Sequence, residues 1–399
     1  MQPPLHYLLM NCCPAEPLPE PRFGLYVHWP FCQAKCPYCD FNSHVVASID
    51  QGRWADAYRA EISRLGDRTG RRVLETIFLG GGTPSLMSAE TVAAVLDAAR
   101  ATWPVANDLE VTLEANPTSV EADRFAAYRA AGVTRISLGV QALDDEALRG
   151  LGRLHSAAEG RMALAIARQV FDRVSFDLIY GRQGQSLDSW QTELDVALDM
   201  GMDHLSLYQL TIEPGTAFAA RQMAGGLKDL PDDDLQADLY EATVERAEAA
   251  GLSLYEVSNF ARPGSECRHN LIYWSGGDWG GIGPGAHGRL TRDDGRVATE
   301  QVSAPGAWLD GVDRFGRAPE TWSPLSARDV AVEFLLMGLR RRDGVSCPRL
   351  EGMDLPAGFF ERVEDLGRDG FLVSADGRLR VTDRGRLVLN SVLQRLLAD

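Results

Sequence analysis

The sequence has almost no lysine. Of its 399 residues only Lys35 and Lys228 are lysines, so the positive charge comes almost entirely from arginine. Neither lysine completes a Gly-Lys-Ser or Gly-Lys-Thr motif, which excludes a P-loop, and the scarcity disfavours lysine Schiff-base chemistry. Positive charge is also low overall, with 40 Lys and Arg against 56 Asp and Glu and a formal net charge of −16. This balance argues against a nucleic-acid partner.

Long apolar runs are missing as well. No stretch reaches the roughly 20 residues that a helix needs to cross a bilayer. The apolar run at residues 5–10 is short and has neither a basic flank nor a small-residue cleavage site, so it does not predict a signal peptide. We expect a cytoplasmic protein without a transmembrane segment. Peripheral membrane contact and a homodimer both stay open.

The cysteines do not indicate a disulfide framework. There are seven, an odd number, and five of them lie within the first 39 residues. A disulfide-stapled domain usually has an even number of cysteines. A reducing compartment with a metal or redox site fits this distribution better. Cys12 and Cys13 fall in the proline-punctuated segment 1–21, which we expect to be a flexible tail.

Between residue 22 and about residue 210, short β-rich runs alternate with helical stretches. The runs begin near residues 24, 75, 110, 134, 173 and 204. Strands that alternate with helices predict βαβ units and a parallel sheet. Six or more units indicate the α/β class and a partial or complete (β/α) barrel, with its chemistry at the C-terminal ends of the strands. We expect this domain to span residues 22–315.

Two later segments differ from this pattern. Residues 256–290 are rich in glycine, histidine and aromatic residues and predict a long loop in the barrel domain, and such loops are usually functional. Residues 316–399 predict three helices and a hairpin that turns at the Asp-Gly pair 376–377. This second region is expected to be a small winged-helix-like α+β module that serves as a lid or docks a partner.

Polar and glycine residues follow the strands of the predicted barrel. Because the C-terminal ends of parallel strands meet at one rim of a barrel, these side chains should form one site. In strand order the candidates are Gly81, Gly82 and Thr83, then Glu114, Gln141, Asp177 and Gln209.

The strongest motif is a cysteine loop after the first strand. Cys32, Cys36 and Cys39 follow the pattern C-x3-C-x2-C, and the aromatic Tyr38 precedes the last cysteine. Three thiolates on one tight loop can hold three corners of a cubane iron–sulfur cluster. The fourth iron is then open to the amino and carboxylate groups of a methionyl ligand. The glycine run after the next strand would let backbone N–H groups approach that ligand.

The cysteine loop and the glycine run also allow other interpretations. The cysteines could be plain thiols, or could hold structural zinc with His28 or His44 as a fourth ligand, although zinc sites usually present two separated pairs. The glycine run does not fit a dinucleotide-binding fingerprint, because Ser85 stands where G-x-G-x-x-G needs glycine.

Together the segments resemble the radical S-adenosylmethionine superfamily and, within it, the oxygen-independent coproporphyrinogen III oxidase-like family. The resemblance covers about residues 22–395. Besides the cysteine loop it rests on residues 80–84, 138–141, 151–153, 177–181 and 269–274. It implies a [4Fe-4S] cluster on the three cysteines and S-adenosyl-L-methionine as cofactor. One-electron reduction of the cofactor's sulfonium would release a 5′-deoxyadenosyl radical.

The resemblance also assigns residues to the cofactor, and none to catalysis. Carboxylates and amides suit the ribose hydroxyls, and an arginine suits the carboxylate. Tyr26 and Tyr38 would lie beside the cofactor. Gly81, Gly82 and Thr83 would contact its methionyl part. The pocket would be completed by Glu114, Gln141, Arg153 and Asp177, with Gln209 at its border.

Two features separate the branches of this family. In the oxidases that the chain resembles, the pattern is C-x3-C-x2-C-x-C. Here Phe41 occupies the position of the fourth cysteine. The motif His269-Asn270-x-x-Tyr273-Trp274 matches the heme-chaperone branch. That match implies heme binding, with His269 as axial ligand and the two aromatic side chains as walls. From the residues alone, a structural histidine beside two core aromatics is the alternative.

The resemblance therefore implies one of two functions. A heme chaperone would bind heme, the cluster and S-adenosylmethionine, and deliver heme to a respiratory-chain acceptor. An oxygen-independent coproporphyrinogen III oxidase would use the adenosyl radical to abstract hydrogen from a porphyrinogen propionate, and decarboxylation would then give a vinyl group. Phe41 and the motif at 269–274 favour the chaperone.

Overall fold

The computed structural model describes residues 22–118 and 122–398. The predicted flexible tail, with Cys12 and Cys13, lies outside the described residues. The strands, numbered along the chain, are β1 Phe23–Trp29, β2 Phe31–Cys32, β3 His44–Val45, β4 Leu74–Gly81, β5 Val105–Ala115, β6 Arg135–Gln141, β7 Arg173–Tyr180, β8 His204–Gln209, β9 Ser253–Leu254, β10 Asn259–Ala261, β11 Asp278–Ile282, β12 His287–Arg292, β13 Gly295–Gln301, β14 Glu320–Pro324, β15 Val345–Ser346, β16 Leu372–Ala375 and β17 Arg378–Val381.

Helices connect most of these strands, and a 3₁₀ turn, Pro84–Leu86, follows β4. The α-helices are α1 Gln51–Thr69, α2 Ala89–Thr102, α3 Phe125–Ala131, α4 Asp145–Gly150, α5 Ala157–Val170, α6 Leu187–Asp199, α7 Ala217–Met223, α8 Asp233–Ala249, α9 Arg268–Trp274, α10 Pro305–Phe315, α11 Ala327–Gly338, α12 Cys347–Glu351, α13 Phe359–Arg368, α14 Asp383–Leu387 and α15 Leu389–Leu396. None of the described helices is long and apolar enough to span a membrane.

One 12-stranded sheet organises the larger domain. Its order is β14-β13-β12-β11-β1-β4-β5-β6-β7-β8-β10-β9. The seven strands from β11 to β8 pair in parallel, and the strands at both edges pair antiparallel. The α/β prediction is confirmed, with the six predicted βα strands in sequence order. Among the described residues the hydrogen-bonded ladder ends at β9 and β14, so the arrangement is a partial barrel extended at both edges.

The parallel strands are apolar along most of their length because helices cover their outer faces. In β1 every residue except Tyr26 is buried. Indole and phenol rings hold α1 and α10 against this strand: Trp54 stacks on Trp308 with ring centroids 5.3 Å apart, and Trp29 contacts Trp54 edge-on at 5.7 Å. This packing fixes the strand from which the cysteine loop departs.

The C-terminal region has its own hydrophobic core. This core is built mainly from residues 334–397 and surrounds a three-stranded sheet in the order β15-β17-β16. The predicted Asp-Gly turn is present, with positive φ at both Asp376 and Gly377. Because β14 still belongs to the large sheet, we propose that the domain boundary lies between Pro324 and Ala327, slightly beyond the expected residue 316.

The segment 256–290, which was predicted to be a long loop, contains regular secondary structure. Residues 268–274 form α9 and residues 278–282 form β11. The reason lies far away in the chain, since a carboxylate oxygen of Glu110 accepts the N–H groups of Arg268 at 2.9 Å and His269 at 3.3 Å. An acidic group at the N-terminus of a helix satisfies its free donors and its dipole. The expectation of a heme-motif loop was therefore wrong in secondary structure.

Candidate metal and cofactor site

The cysteine loop begins where β1 ends. Cys32 ends β2, and the N–H of Cys39 donates to the carbonyl of Cys36 at 3.2 Å in a tight turn. All three thiols are half-buried and free. The hydroxyl of Thr83 donates to Cys32 Sγ at 3.3 Å, and burial raises the pKa of Cys32. A positive iron centre would stabilise the thiolates that burial alone disfavours.

The number of thiols bears on what the loop could hold. A structural zinc ion takes four ligands, with thiolates at about 2.3 Å, so the three cysteines would need a fourth partner from elsewhere. A cubane cluster can be held by three thiolates, with its fourth iron left to a small ligand.

The two histidines considered as zinc ligands are both engaged. His28 lies between the hydroxyl of Tyr26 and the carbonyl of Asn42, each at 2.9 Å, and burial lowers its pKa. His44 Nε2 bonds the side-chain oxygen of Asn42 at 3.0 Å. Tyr26 and His28 thus tie β1 to the returning end of the cysteine loop, and neither histidine is placed as a fourth ligand.

The glycine run brings the end of β4 against the cysteine loop. The N–H of Gly82 donates to the carbonyl of Trp29 at 2.7 Å, and the N–H of Thr83 donates to the carbonyl of Phe31 at 2.8 Å. A Cβ on Gly82 would lie 2.7 Å from that Phe31 oxygen. Close approach of two backbones therefore requires the glycine. The expected free N–H groups of Gly82 and Thr83 are already bonded to the main chain.

Two carboxyl groups of the site lie near the C-terminal ends of strands β5 and β7. Glu114 accepts the N–H of Gly81 at 3.3 Å, and Asp177 accepts from the hydroxyl of Ser137 at 3.3 Å. Burial, helped by the charge of Asp177, raises the pKa of Glu114 to about 8. Burial raises the pKa of Asp177 to about 6 against the hydrogen bond from Ser206. Such shifts are typical of a functional site.

Arg153 and Gln141 complete the same cavity. Arg153 donates to the side-chain oxygen of Asn116 at 2.7 Å and the carbonyl of Gly139 at 2.8 Å, with Cys36 Sγ at 3.5 Å from its other amine. Gln141 has a φ of 69°, which is rare for a residue other than glycine. Its buried side-chain carbonyl has no hydrogen-bond partner among the described residues. Strain and an unpaired acceptor together indicate a position shaped for a ligand.

These groups converge on one cavity of about 150 Å³ at the C-terminal rim of the barrel. We call this the rim site. It is lined by the three cysteines, Tyr38, Gly81, Gly82, Thr83, Glu114, Asn116, Ser137, Gln141, Arg153 and Asp177, among others. The donor set fits an iron–sulfur cluster beside a ligand with amino, carboxylate and hydroxyl groups. Asn116 and Ser137 were not among the predicted residues, although Asn116 follows a strand end as the predicted residues do.

Two predicted residues, Gln209 and Tyr26, are not part of the lining of the rim site. The amide of Gln209 donates to the carbonyl of Gln236 at 3.2 Å, and both residues line a separate cavity. This hydrogen bond to α8 holds the side chain of Gln209 away from the cysteines. Tyr26 lies behind the glycine run and bonds His28, so it supports the loop.

The predicted heme motif lies at the other end of the barrel. His269 is buried, with Nδ1 2.7 Å from the hydroxyl of Thr76 and Nε2 2.7 Å from the hydroxyl of Tyr273. Its ring stacks on Phe78 at 5.2 Å, and burial lowers its pKa to about 3. The imidazole is therefore neutral and both nitrogens are engaged. Ligation of iron by His269 would require one of these bonds to break.

The other motif residues join α9 to its surroundings. The amide of Asn270 lies 3.5 Å from the hydroxyl of Tyr255, and the ring of Tyr273 meets Trp279 edge-on at 4.6 Å. Trp274 is half-buried at the end of α9. We call α9 with Glu110 and Thr76 the barrel floor. Its polar groups bond to one another and close the N-terminal end of the sheet.

Comparison with known proteins agrees with this geometry. The sequence profile of the Radical SAM superfamily matches residues 26–197, and that of the HemN C-terminal domain matches residues 325–388. The chain is 40% identical over 387 residues to "Heme chaperone HemW" of Mycobacterium tuberculosis, covering 96% of each protein. It is 39% identical over 387 residues to "Heme chaperone HemW" of Escherichia coli K12, covering 95% of this chain and 99% of that one.

A mammalian relative and a solved structure extend the comparison. The chain is 42% identical over 388 residues to "Radical S-adenosyl methionine domain-containing protein 1, mitochondrial" of Mus musculus, covering 94% of this chain and 87% of the relative. The structure of coproporphyrinogen III oxidase (HemN) from Escherichia coli superposes with a TM-score of 0.79 at 23% identity, covering 96% and 91% of the two chains. This second likeness shows the fold alone.

Proposed function

The chain belongs to the HemW family of the radical S-adenosylmethionine superfamily, and from that premise we propose that it is a heme chaperone. The observation that carries the proposal is identity of 40% to HemW over 96% of both chains, in a protein whose rim site brings the three loop cysteines together. The family implies a [4Fe-4S] cluster and S-adenosylmethionine.

Cys32, Cys36 and Cys39 would hold the cluster in the rim site. When bound, the cluster and cofactor together supply one-electron chemistry. The chain itself contributes acceptors and a cation: Gln141 offers a free carbonyl, and Arg153 lies within reach of Cys36. Glu114, largely protonated at neutral pH because burial raises its pKa to about 8, can donate to a ribose hydroxyl.

Heme would be the cargo, and a respiratory-chain heme protein its acceptor. The cytoplasm is the proposed location, supported by thiols that must stay reduced to take up iron. The motif residues His269, Asn270, Tyr273 and Trp274 remain candidates for the heme site, although the bonds of His269 mean that α9 would have to move before it could bind iron. Peripheral membrane contact and a homodimer remain proposals as well.

The oxidase is the second candidate function. The likeness of fold to HemN and the retained rim residues favour it. Phe41 is exposed at the mouth of the cysteine loop. It occupies the position of the fourth cysteine in the oxidase pattern, and this argues against the oxidase function.

The test is a heme titration of cluster-reconstituted protein, followed by absorbance, with a transfer assay to a heme-free acceptor protein and a porphyrinogen decarboxylation assay in parallel. We expect saturable binding near one heme per chain, transfer to the acceptor, and no vinyl product. Turnover of the porphyrinogen without saturable heme binding would replace the chaperone with the oxidase.

A further inference from the structure

An open groove of about 750 Å³ separates the barrel domain from the C-terminal module. Its size lies within the range of about 300–1,000 Å³ that is typical of small-molecule and cofactor sites. On the barrel side it is lined by Leu254, Tyr255 and Leu271, and on the module side by Val373 and Val381. Leu271 belongs to α9, so the groove borders the helix that carries the heme motif.

The hairpin of the module presents a valine and an arginine to this groove. Val373 on β16 is directly paired with Arg380 on β17, and cross-strand partners lie on the same face of a hairpin. Val373 is 43% exposed. The hairpin therefore places an uncovered aliphatic surface next to a guanidinium group.

One arginine of the groove has donors to spare. Arg341, Arg342 and Arg380 face Glu266, Asp343 and Asp383 in its lining. Arg341 donates to Asp343 and to the hydroxyl of Ser275, each at 2.7 Å, and Asp383 accepts from Arg342. Among the residues that the structure describes, the guanidinium of Arg380 has in contrast only the ion pair with Asp376, at 3.7 Å. A ligand with an acidic group would supply a closer acceptor for Arg380.

We propose that this groove between the barrel floor and the β16–β17 hairpin is the seat of the heme. The inference rests on the proposed chaperone function and names the site where the cargo lies. The macrocycle would pack against Leu271 and Val373, and a propionate would bind the guanidinium of Arg380. Heme combines a large apolar body with two carboxylates, and the groove offers the matching pair of surfaces.

Other cavities fit this ligand less well. The rim site has a volume of about 150 Å³ and is lined by the cluster cysteines. A cavity of about 780 Å³ beside α6 has two arginines against three acidic residues, and its Arg182 is already paired with Glu193. Binding in the groove also leaves the hydrogen bonds of His269 intact. The seat therefore depends on the walls and Arg380, with no strong iron ligand from the motif histidine.

The experiment compares two matched charge insertions in the cluster-reconstituted full chain. Val373→Glu puts a carboxylate into the groove opposite Arg380, where it would occupy the guanidinium and repel a propionate. Val388→Glu is the control, because Val388 is equally exposed at 42% but is not part of the groove lining. Far-UV circular dichroism and iron content verify that both variants are folded and loaded. Iron-free protoporphyrin IX and heme dimethyl ester are titrated beside heme.

We expect Val373→Glu to raise the heme Kd at least about tenfold, equal to about 1.4 kcal/mol, while Val388→Glu leaves it unchanged. Protoporphyrin IX should compete with heme, since the seat does not need the iron, and the dimethyl ester should bind more weakly. Equal heme affinity of the two variants would overturn the groove as the seat while leaving the chaperone function standing. Absence of saturable heme binding in the wild type would overturn the chaperone function and the seat together.

Discussion

The two ends of the barrel each carry a motif that the sequence singles out, but the two motifs are in opposite physical states. At the rim site, Gln141 has an unpaired buried acceptor, and burial raises the pKa of Glu114 to about 8. At the barrel floor, His269 bonds through both ring nitrogens, and Glu110 accepts two N–H groups of α9. An unpaired acceptor on a strained backbone marks a site built for a ligand, whereas the bonded imidazole and the capped helix of the floor stabilise the protein itself.

This comparison separates cofactor loading from stability. Substitutions at the rim should change what the protein binds and leave its fold nearly as stable. Substitutions at the floor should weaken the fold and leave cofactor loading nearly intact.

The largest effect is expected from the loop cysteines. Replacing Cys32, Cys36 or Cys39 with alanine removes one of three thiolates, so iron after anaerobic reconstitution should fall from about four per chain towards zero. The control is Cys267→Ser at the barrel floor, where the thiol lies 3.7 Å from Glu110 and is buried. Iron analysis and cluster absorbance measure the outcome. Comparable iron loss in the Cys267 variant would contradict the assignment.

The next effect belongs to the barrel floor. Glu110→Ala removes the acceptor for two N–H groups of α9 and the ion-pair partner of Arg173 at 3.4 Å. Breaking such a buried charged interaction should lower the free energy of unfolding by about 3 kcal/mol. Urea unfolding of the cluster-free protein measures this loss.

A matched rim variant completes that test. Gln141→Asn keeps an amide that tolerates the positive φ of 69° but shortens the side chain that reaches the cavity. It should change stability by less than about 0.5 kcal/mol and weaken S-adenosylmethionine binding, followed by equilibrium dialysis. If Glu110→Ala lost iron without losing stability, the division between rim and floor would be wrong.

The parts of this division that were predictable are those encoded locally. Each parallel strand is a short apolar run, and its C-terminal end carries the polar residue, so the sequence was sufficient to predict the barrel and the convergence of Glu114, Gln141 and Asp177. The cysteine spacing is local as well. Residues within one loop or at one strand end need no tertiary information to be recognised.

The parts that were not predictable depend on distant contacts. Residues 268–274 form a helix because Glu110, about 160 residues earlier, caps them, and no local pattern reveals that partner. Gln209 turns to Gln236 instead of the rim site for a similar reason. The antiparallel strands β12–β14, which extend the sheet, also pair only because the barrel edge at β11 is available to them.

The smallest expected effect is a difference between the two ends in how they make the stability of the fold depend on pH. An acid whose pKa is raised by folding binds its proton more tightly in the native state, so stability falls as pH rises through the window between its unfolded and folded values. For Glu114 that window runs from 4.5 to about 8. His269 acts with the opposite sign, because its pKa is lowered from 6.5 to about 3 and the native state then loses stability as pH falls.

Between pH 7 and pH 8 the cluster-free protein should therefore lose up to about 1 kcal/mol of stability, and Glu114→Gln should abolish this loss. Chemical unfolding at closely spaced pH values measures it. Glu256→Gln is the control, since burial raises the pKa of Glu256 only to about 7, so most of its effect falls below pH 7 and only about 0.4 kcal/mol falls within this interval. A slope that survives in Glu114→Gln would show that the rim carboxyl is not held protonated. The floor histidine cannot supply that slope, because its contribution has the opposite sign and is small above pH 7.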